Sequence, residues 1–356
     1  MGSVYGNKVK VSIFGESHGT AIGVVIDGLP SGERIDMEEL GVQMARRAPG
    51  RDKTATPRRE PDKPQILSGM IDNVTTGAPL AAVIYNTNTR SQDYGNVMNS
   101  PRPGHSDYAA YVRYSGFNDV RGGGHFSGRL TANMVFAGAV IRQILKRRGV
   151  DIAAHIYSIG SVCDEPFDPL GASQELINRL NHEQFALINT SCETLMRDEV
   201  EKVRVQGDSI GGIAECIIQG LSAGIGEQMF NGVENIISAA VFGVPAVKGI
   251  EFGSGFAGSK MKGSENNDEF YFDGDQVKTY TNNHGGILGG VTSGMPIVFR
   301  AAVKPTPSIA LQQKTVDLQS GKDTVLSVKG RHDPCIVPRA VPVIESAAAI
   351  AVINMM

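Results

Sequence analysis

Three short stretches gather side chains that can carry protons. "FGESHGT" (Phe14 to Thr20) sets Glu16, Ser17 and His18 between two glycines. "SPRPGHSDY" (Ser100 to Tyr108) holds Arg102 and His105, and "RGGGHFSGR" (Arg121 to Arg129) holds His125, Ser127 and two arginines. Imidazole titrates near neutrality, so histidines placed this way suit general acid–base work. The adjacent Ser17 and His18 invite a nucleophile–base reading. On a strand, however, neighbouring side chains point to opposite faces, so Ser17 is expected not to hydrogen-bond His18. The spacing is also not that of a Gly-x-Ser-x-Gly elbow. His18 reads either as catalytic or as a hydrogen-bonded structural histidine.

The second chemistry is anion binding. "ARRAPGRDKTATPRREPDKP" (Ala45 to Pro64) crowds Arg46, Arg47, Arg51, Lys53, Arg58 and Arg59 into one Pro-containing segment. It reads as a solvated basic loop or as a site for a small, heavily anionic ligand, since guanidinium forks match carboxylate and phosphate. Nucleic acid is not expected: net charge is -3, and neither Lys-rich blocks nor interleaved aromatics occur. Gly122 to Gly124, ahead of a helical pattern, predict an anion site on helix N-terminal amides. "NNHGGILGG" (Asn282 to Gly290) and "KPTPS" (Lys304 to Ser308) add a glycine-lined turn and a cation, and "GRHDPC" (Gly330 to Cys335) adds Arg331 and Asp333. None of this has the spacing of a phosphate-binding Walker loop or a dinucleotide fingerprint. His18, His105, His125 and Asp333 are metal-ligand types, but they lack metal-site spacing, and no metal is expected.

These residues need a scaffold, and the sequence reads as one unit written twice. "GESHGTAIGVVIDGLPSG" (Gly15 to Gly32) aligns without a gap on "GDSIGGIAECIIQGLSAG" (Gly207 to Gly224). "ILSGMIDNVTTGAPL" (Ile66 to Leu80) aligns on "ILGGVTSGMPI" (Ile287 to Ile297), and Arg121 with Arg129 matches Arg331 with Arg339. The shared order predicts one domain over 1–356 with internal repeats at about 8–150 and 200–356. Ser17 has a partner in Ser209, whereas His18 faces Ile210, so the histidine belongs to the first copy alone. "GDSIGG" itself reads as a turn entering a strand, with no catalytic part.

"TAIGVVIDG" and "GGIAECIIQG" predict strands. "ERIDMEELGVQMARRAPG" predicts a helix with Asp36 and Glu39 as a capping box. "GRLTANMVFAGAVIRQILKRRG" predicts a second helix with Leu130, Met134, Ala137, Ile141, Ile144 and Leu145 on one face. An Ala-rich apolar helix closes the chain from Arg339. Strands in runs with helices between them indicate an α+β fold, with the two Ala-rich helices packed between the sheets of the halves.

The chain has 356 residues, 41% hydrophobic, enough for a large core. The N-terminus shows no signal-peptide or myristoylation pattern. "AVPVIESAAAIAVINMM" is shorter than a membrane span and carries Glu345, so no membrane is expected. Cys163, Cys192, Cys216 and Cys335 have no paired spacing and are expected as buried free thiols in a reducing cytoplasm.

Taken together, "GESHGTAIGVVIDGLP", "RPGHSDY", "GGGHFSGRLTA", "NNHGGILGG", "KPTPS" and "GRHDPC…ESA" resemble the chorismate synthase family over nearly the whole chain. The resemblance implies an α+β fold of helices sandwiched between antiparallel sheets, assembled as a cytoplasmic homotetramer. It implies a lyase ending the shikimate pathway, which converts 5-enolpyruvylshikimate 3-phosphate to chorismate and phosphate with reduced FMN and no net redox change. By motif position, Arg47, Lys53, Arg102, Arg129 and Arg331 would hold substrate, with Arg47 and Lys53 also near NADPH. His18 would protonate the departing phosphate, His105 would keep a proton by flavin N1, and Asp333 would take the proton of N5, with Ser17 and Ser127 relaying. FMN contacts carry over to His125, Phe126, Ser127, Pro245, Ala246, Gly285, Lys304, Pro305, Thr306, Pro307, Ser308 and Arg331. Lys53 stands where the family often has Arg, and His125-Phe126 where it often has Arg-Ser, which makes the cation near the flavin titratable. Whether NADPH reduces the flavin on this protein or an external reductase does so is left open. The alternative is a non-catalytic binder of anionic metabolites or flavin.

Overall fold

The computed structural model describes residues 2–50, 62–87, 99–328 and 333–356. Lys53 and Arg331, with most of the basic segment, lie outside the described residues. Two five-stranded sheets form the outer layers. The first contains β1 (Val4–Tyr5), β2 (Lys10–Gly15), β3 (Ala21–Asp27), β4 (Gln65–Ser68) and β5 (Leu80–Tyr85), in the order β1-β2-β3-β5-β4. The second contains β6 (Asp151–Ile159), β7 (Val162–Cys163), β8 (Gly212–Gln219), β9 (Val247–Phe252) and β10 (Ile297–Val303), in the order β7-β6-β8-β10-β9. Neighbours within both sheets are antiparallel.

The sheets match strand for strand. Ala21 pairs with Tyr85 and Ile26 with Leu80; at the aligned positions Ile213 pairs with Ala302 and Ile218 with Ile297. The strand that occupies the place of β2 in the second sheet is β6, which precedes the repeat boundary drawn from sequence at 200. Alternation along β3 sends Ile22, Val24 and Ile26 into the core. On its other face the Phe14 ring lies against Gly23, where a Cβ would come within 2.2 Å of the ring.

Helices fill the space between the sheets. They include α1 (Met37–Arg47), α3 (Thr131–Arg147), α4 (Val233–Phe242) and α5 (Val337–Met355), while α2 (Asp107–Arg113) is largely exposed. α3 lies on the first sheet and α5 on the second, and the two pack on each other, with α1 and α4 beside them. Their contact is close because Gly138 is bare: a Cβ there would lie 2.2 Å from Ser346 Cβ. A single apolar face was the expectation for α3, yet Val135, Phe136, Ala139 and Val140 are buried as well. A helix with a sheet on one side and another helix on the other has little solvent face left. Each large side chain so buried contributes about 1.5–3 kcal/mol.

Two local expectations need correction. Asp36 caps α1, accepting from the amides of Glu38 and Glu39, but the reciprocal half of the box is missing. Glu39 accepts from Gln43 Nε2 at 2.8 Å, while the Asp36 amide donates to Gln143 Oε1 at 2.7 Å. Not all the thiols are buried, either: Cys216 and Cys335 are, whereas Cys163 is exposed and Cys192 half-buried.

By length and composition α5, at 19 residues, could cross a membrane, but 89% of its apolar window is buried inside the protein. Its one carboxylate, Glu345, is fully enclosed and fully answered. Arg46 grips it with both nitrogens at 2.6 and 3.0 Å, Arg142 donates at 2.8 Å and the Ala154 amide at 3.0 Å. This carboxylate ties α1, α3 and β6 to α5.

Candidate active site

Ser17 and His18 stand in a turn after β2, not on a strand. The turn is closed by Gly19 N donating to Glu16 O and by Asn86 Nδ2, which donates to the carbonyls of Glu16 and Gly19. Leaving the strand frees the two side chains from opposite faces, so the expectation that they cannot meet is wrong: Ser17 Oγ lies 3.2 Å from His18 Nδ1. The same hydroxyl donates to Arg121 O at 3.2 Å. A serine has one proton to give, so its lone pair accepts from His18 Nδ1–H. That fixes the proton of the neutral ring on Nδ1.

Gly122, Gly123 and Gly124 have φ of 61°, 91° and 55°, a left-handed run that side chains rarely adopt. A Cβ on Gly122 would fall 2.2 Å from His18 Nδ1, and one on Gly123 would fall 3.0 Å from His105 Cε1 and 3.1 Å from its Nε2. The glycines are there so that two imidazoles can lie against adjacent residues of one turn. They do not sit at a helix N-terminus, as expected from sequence. α3 begins only at Thr131, after a short turn in which Ser127 Oγ accepts from Arg129 N at 3.3 Å.

His105 Nδ1 is 2.5 Å from Asp107 Oδ1. Asp107 also receives Arg102 Nε at 2.7 Å and Arg102 Nη2 at 2.8 Å. Burial works to raise the Asp107 carboxyl, but Arg102 and His105 outweigh it and hold it well below the usual range. Arg102 Nη1 reaches Ser308 Oγ at 3.1 Å, joining this turn to "KPTPS".

These groups border a cavity of about 1010 Å³, at the upper end of small-molecule sites. Among the described residues its cations are Arg47, Arg102, Arg129, Lys248, Lys304 and Arg339, and its carboxylate is Asp333. Met134, Ala240, Val343, Ala347 and Ile350 supply an apolar wall from α3, α4 and α5. Of the residues singled out in the sequence, His105, His125, Phe126, Ser127, Pro245, Ala246, Thr306, Pro307 and Ser308 also line it. Ser17 and His18 stand behind Gly122, which itself lines the cavity. Pro305 is not in the lining. Gly285 is remote: it packs on Gly253, beyond the end of β9 opposite Ala246. Six strand residues of about 3.3 Å each separate those ends.

Arg47 is fastened on three sides, to Asp62 at 2.5 Å, Thr131 Oγ1 at 3.1 Å and Gly128 O at 2.8 Å. Asp62, itself buried, also pairs with Arg129. Burial pushes the Arg47 guanidinium down to about 10, against the pull of Asp62. At Asp62 burial works upward, but Arg47 and Arg129 outweigh it and keep the carboxyl low. Lys304 is pushed down by burial and by Lys248, and its Nζ donates to Gly104 O at 2.6 Å.

Asp333 Oδ2 is 2.5 Å from Arg339 Nη1, and Arg339 Nε donates to Arg47 O at 3.0 Å. Thr306 Oγ1 donates to Asp333 O at 2.8 Å, and Ser209 Oγ to Thr306 O at 2.7 Å. Ser209 of "GDSIGG" thus holds the cavity wall in place. His125 spans two neighbours, with Nδ1 2.8 Å from Gly15 O and Nε2 2.7 Å from Ser3 Oγ. A carbonyl only accepts, so the proton is on Nδ1.

Sequence reasoning passed over Asp62, Asp107, Lys248 and Arg339 as site residues. Arg339 had a signal, as the repeat partner of Arg129, and Asp107 stands two residues after His105. Asp62 and Lys248 had none. The assembled site offers cations for several anionic groups, an apolar face for a flat ring, and two imidazoles of defined tautomer.

A family model described as chorismate synthase matches residues 9–356. A chorismate synthase of Dehalococcoides mccartyi is 41% identical over 355 residues, covering 100% of this chain and 96% of that protein. One of Thermococcus kodakarensis is 44% identical over 347 residues, covering 98% and 95%. A solved crystal structure of chorismate synthase superposes with a TM-score of 0.76 at 24% identity, covering 99% of this chain and 92% of that one. The chain belongs to the chorismate synthase family, and is a lyase of aromatic amino-acid biosynthesis.

Proposed function

We propose that this protein eliminates phosphate from 5-enolpyruvylshikimate 3-phosphate to give chorismate, with reduced FMN required and returned unchanged. The observation that carries the reading is the pair of imidazoles packed on Gly122 and Gly123, at the edge of a cavity lined with arginines. The residues present fit a flavin: the apolar wall suits its ring, and Lys248 and Lys304 its phosphate. When bound, the reduced flavin supplies electron density that lets an unacidic C–H bond break.

The protein's own part is positioning and protons. Arg102, Arg129 and Arg47, with Lys53 and Arg331, hold substrate carboxylates and phosphate away from water. His18, as the imidazolium, gives its Nε2 proton to the departing phosphate, and the neutral ring left behind keeps its Nδ1–H on Ser17 Oγ. His105 holds a proton on the cavity side. Asp333, oriented by Arg339, accepts one at its carboxylate, and Ser127 relays. His125, Phe126, the turn at Pro245-Ala246 and the segment Lys304 to Ser308 hold the flavin. Exposed Phe230, Phe256, Phe270 and Phe272 support burial against further copies in a homotetramer, to be checked by light scattering.

His18→Ala and His105→Ala are expected to lower turnover by about 10²–10⁴-fold while changing binding little. Steady-state phosphate release checks this, and a variant at wild-type turnover would remove that residue from its role. Oxidation of NADPH by the protein and FMN alone, without oxygen, decides whether it reduces its own flavin. Flavin binding with no phosphate release would favour the non-catalytic alternative.

A further inference from the structure

We infer that Asp107 is the positioning residue of His105: its carboxylate fixes the ring proton on Nδ1 and turns Nε2 toward the cavity. This rests on the reading above that His105 holds a proton there. An N···O separation of 2.5 Å requires a proton between the two atoms, and Asp107 is ionised, so the proton belongs to Nδ1. Arg102 Nη2, 3.2 Å from the same nitrogen, is a donor and cannot supply an alternative acceptor. Ser106 Oγ, at 3.4 Å, is a longer and weaker contact. Nε2 is then left on the Gly123 side of the ring, where only the absence of a Cβ makes room for it.

One carboxylate therefore organises two functions. Oδ1 holds the imidazole, and Oδ2 receives Arg102 Nε and the Arg102 amide at 2.7 and 3.0 Å. The imidazole and the anion-binding fork, three residues apart in sequence, are locked in mutual register. Among the described residues, the charges in direct contact with the His105 ring are Asp107 and Arg102, and of the two only Asp107 can accept the Nδ1 proton.

The test is Asp107→Asn in the full chain labelled with [13Cε1,15N]histidine, recorded without ligands. The sequence has seven histidines, and His105→Gln identifies the signal. In the wild type the neutral ring is expected as the Nδ1–H tautomer. In the variant it becomes a mixture of tautomers. Turnover falls tenfold or more. Asp107→Ser serves as a second variant where the Asn amide disturbs Arg102, and Asp107→Glu should recover part of the loss. A folded Asp107→Asn protein with unchanged tautomer and turnover overturns the inference. The magnetic resonance readout needs no turnover, so a wild type that releases no phosphate would sink the proposed function and leave this coupling standing.

Discussion

Asp62 sits between two arginines of the cavity wall, buried and paired to both. Removing one member of such a buried set costs about 3–5 kcal/mol, because the remaining charges lose their partner. Here both arginines line a cavity, so a small anion can enter and replace the carboxylate. Asp62→Ala should therefore melt lower than the wild type, and phosphate should raise its Tm more than it raises that of the wild type. Equal phosphate effects in the two proteins would show that Asp62 is not standing where an anion can bind. Gly122 offers a second residue-scale test. A Cβ there meets the His18 ring at 2.2 Å in a left-handed backbone, so Gly122→Ala should lose activity through displacement of His18. Retained turnover would contradict that contact.

Among the elements, the α3–α5 contact makes an unusual demand. In an exposed helix, Gly→Ala stabilises by about 0.5–1 kcal/mol. At Gly138 the new methyl would collide with Ser346, so Gly138→Ala should destabilise, and adding Ser346→Gly should restore part of the loss. Denaturant unfolding of the single and double variants measures the coupling. The second sheet carries its own charge device. His155 on β6 is enclosed, 3.0 Å from both Asp164 and Glu215. Burial works to lower its imidazole, but the two carboxylates outweigh it and raise it, and burial of Asp164 and Glu215 is likewise outweighed so that both are lowered. The histidine's contribution is full below its unfolded value of about 6.5 and is lost as pH rises through the raised one. The carboxylates contribute above about 4 and lose it as pH falls through their lowered values. His155→Gln should thus cost most between about pH 4.5 and 6.5, and progressively less above. A cost independent of pH would refute the assignment.

Over the whole molecule, the α+β class and the strands β3 and β8 could be read from β-branched runs bounded by glycine. The Ala-rich helices between the sheets were legible too, because small side chains announce close packing. Residue type alone singled out Arg102, His105, Arg129 and Asp333, which the structure gathers on one cavity, and His18, which stands behind Gly122. What escaped depended on partners distant in the chain. Asp62 is joined to Arg129, 67 residues away, as well as to Arg47, and Glu345 to Arg46, 299 residues away. The Ser17–His18 bond escaped because local reading extended the strand past the point where Gly15 ends it. The aligned registers of β3–β5 and β8–β10 suit our proposal that the halves descend from one ancestral unit.

The most direct measurement is anaerobic incubation of the purified protein with 5-enolpyruvylshikimate 3-phosphate and photoreduced FMN, following phosphate, chorismate and the flavin spectrum together. The account predicts one phosphate for each chorismate over many turnovers, with the flavin still reduced at the end. Flavin oxidised in step with product, or no phosphate released, would contradict it.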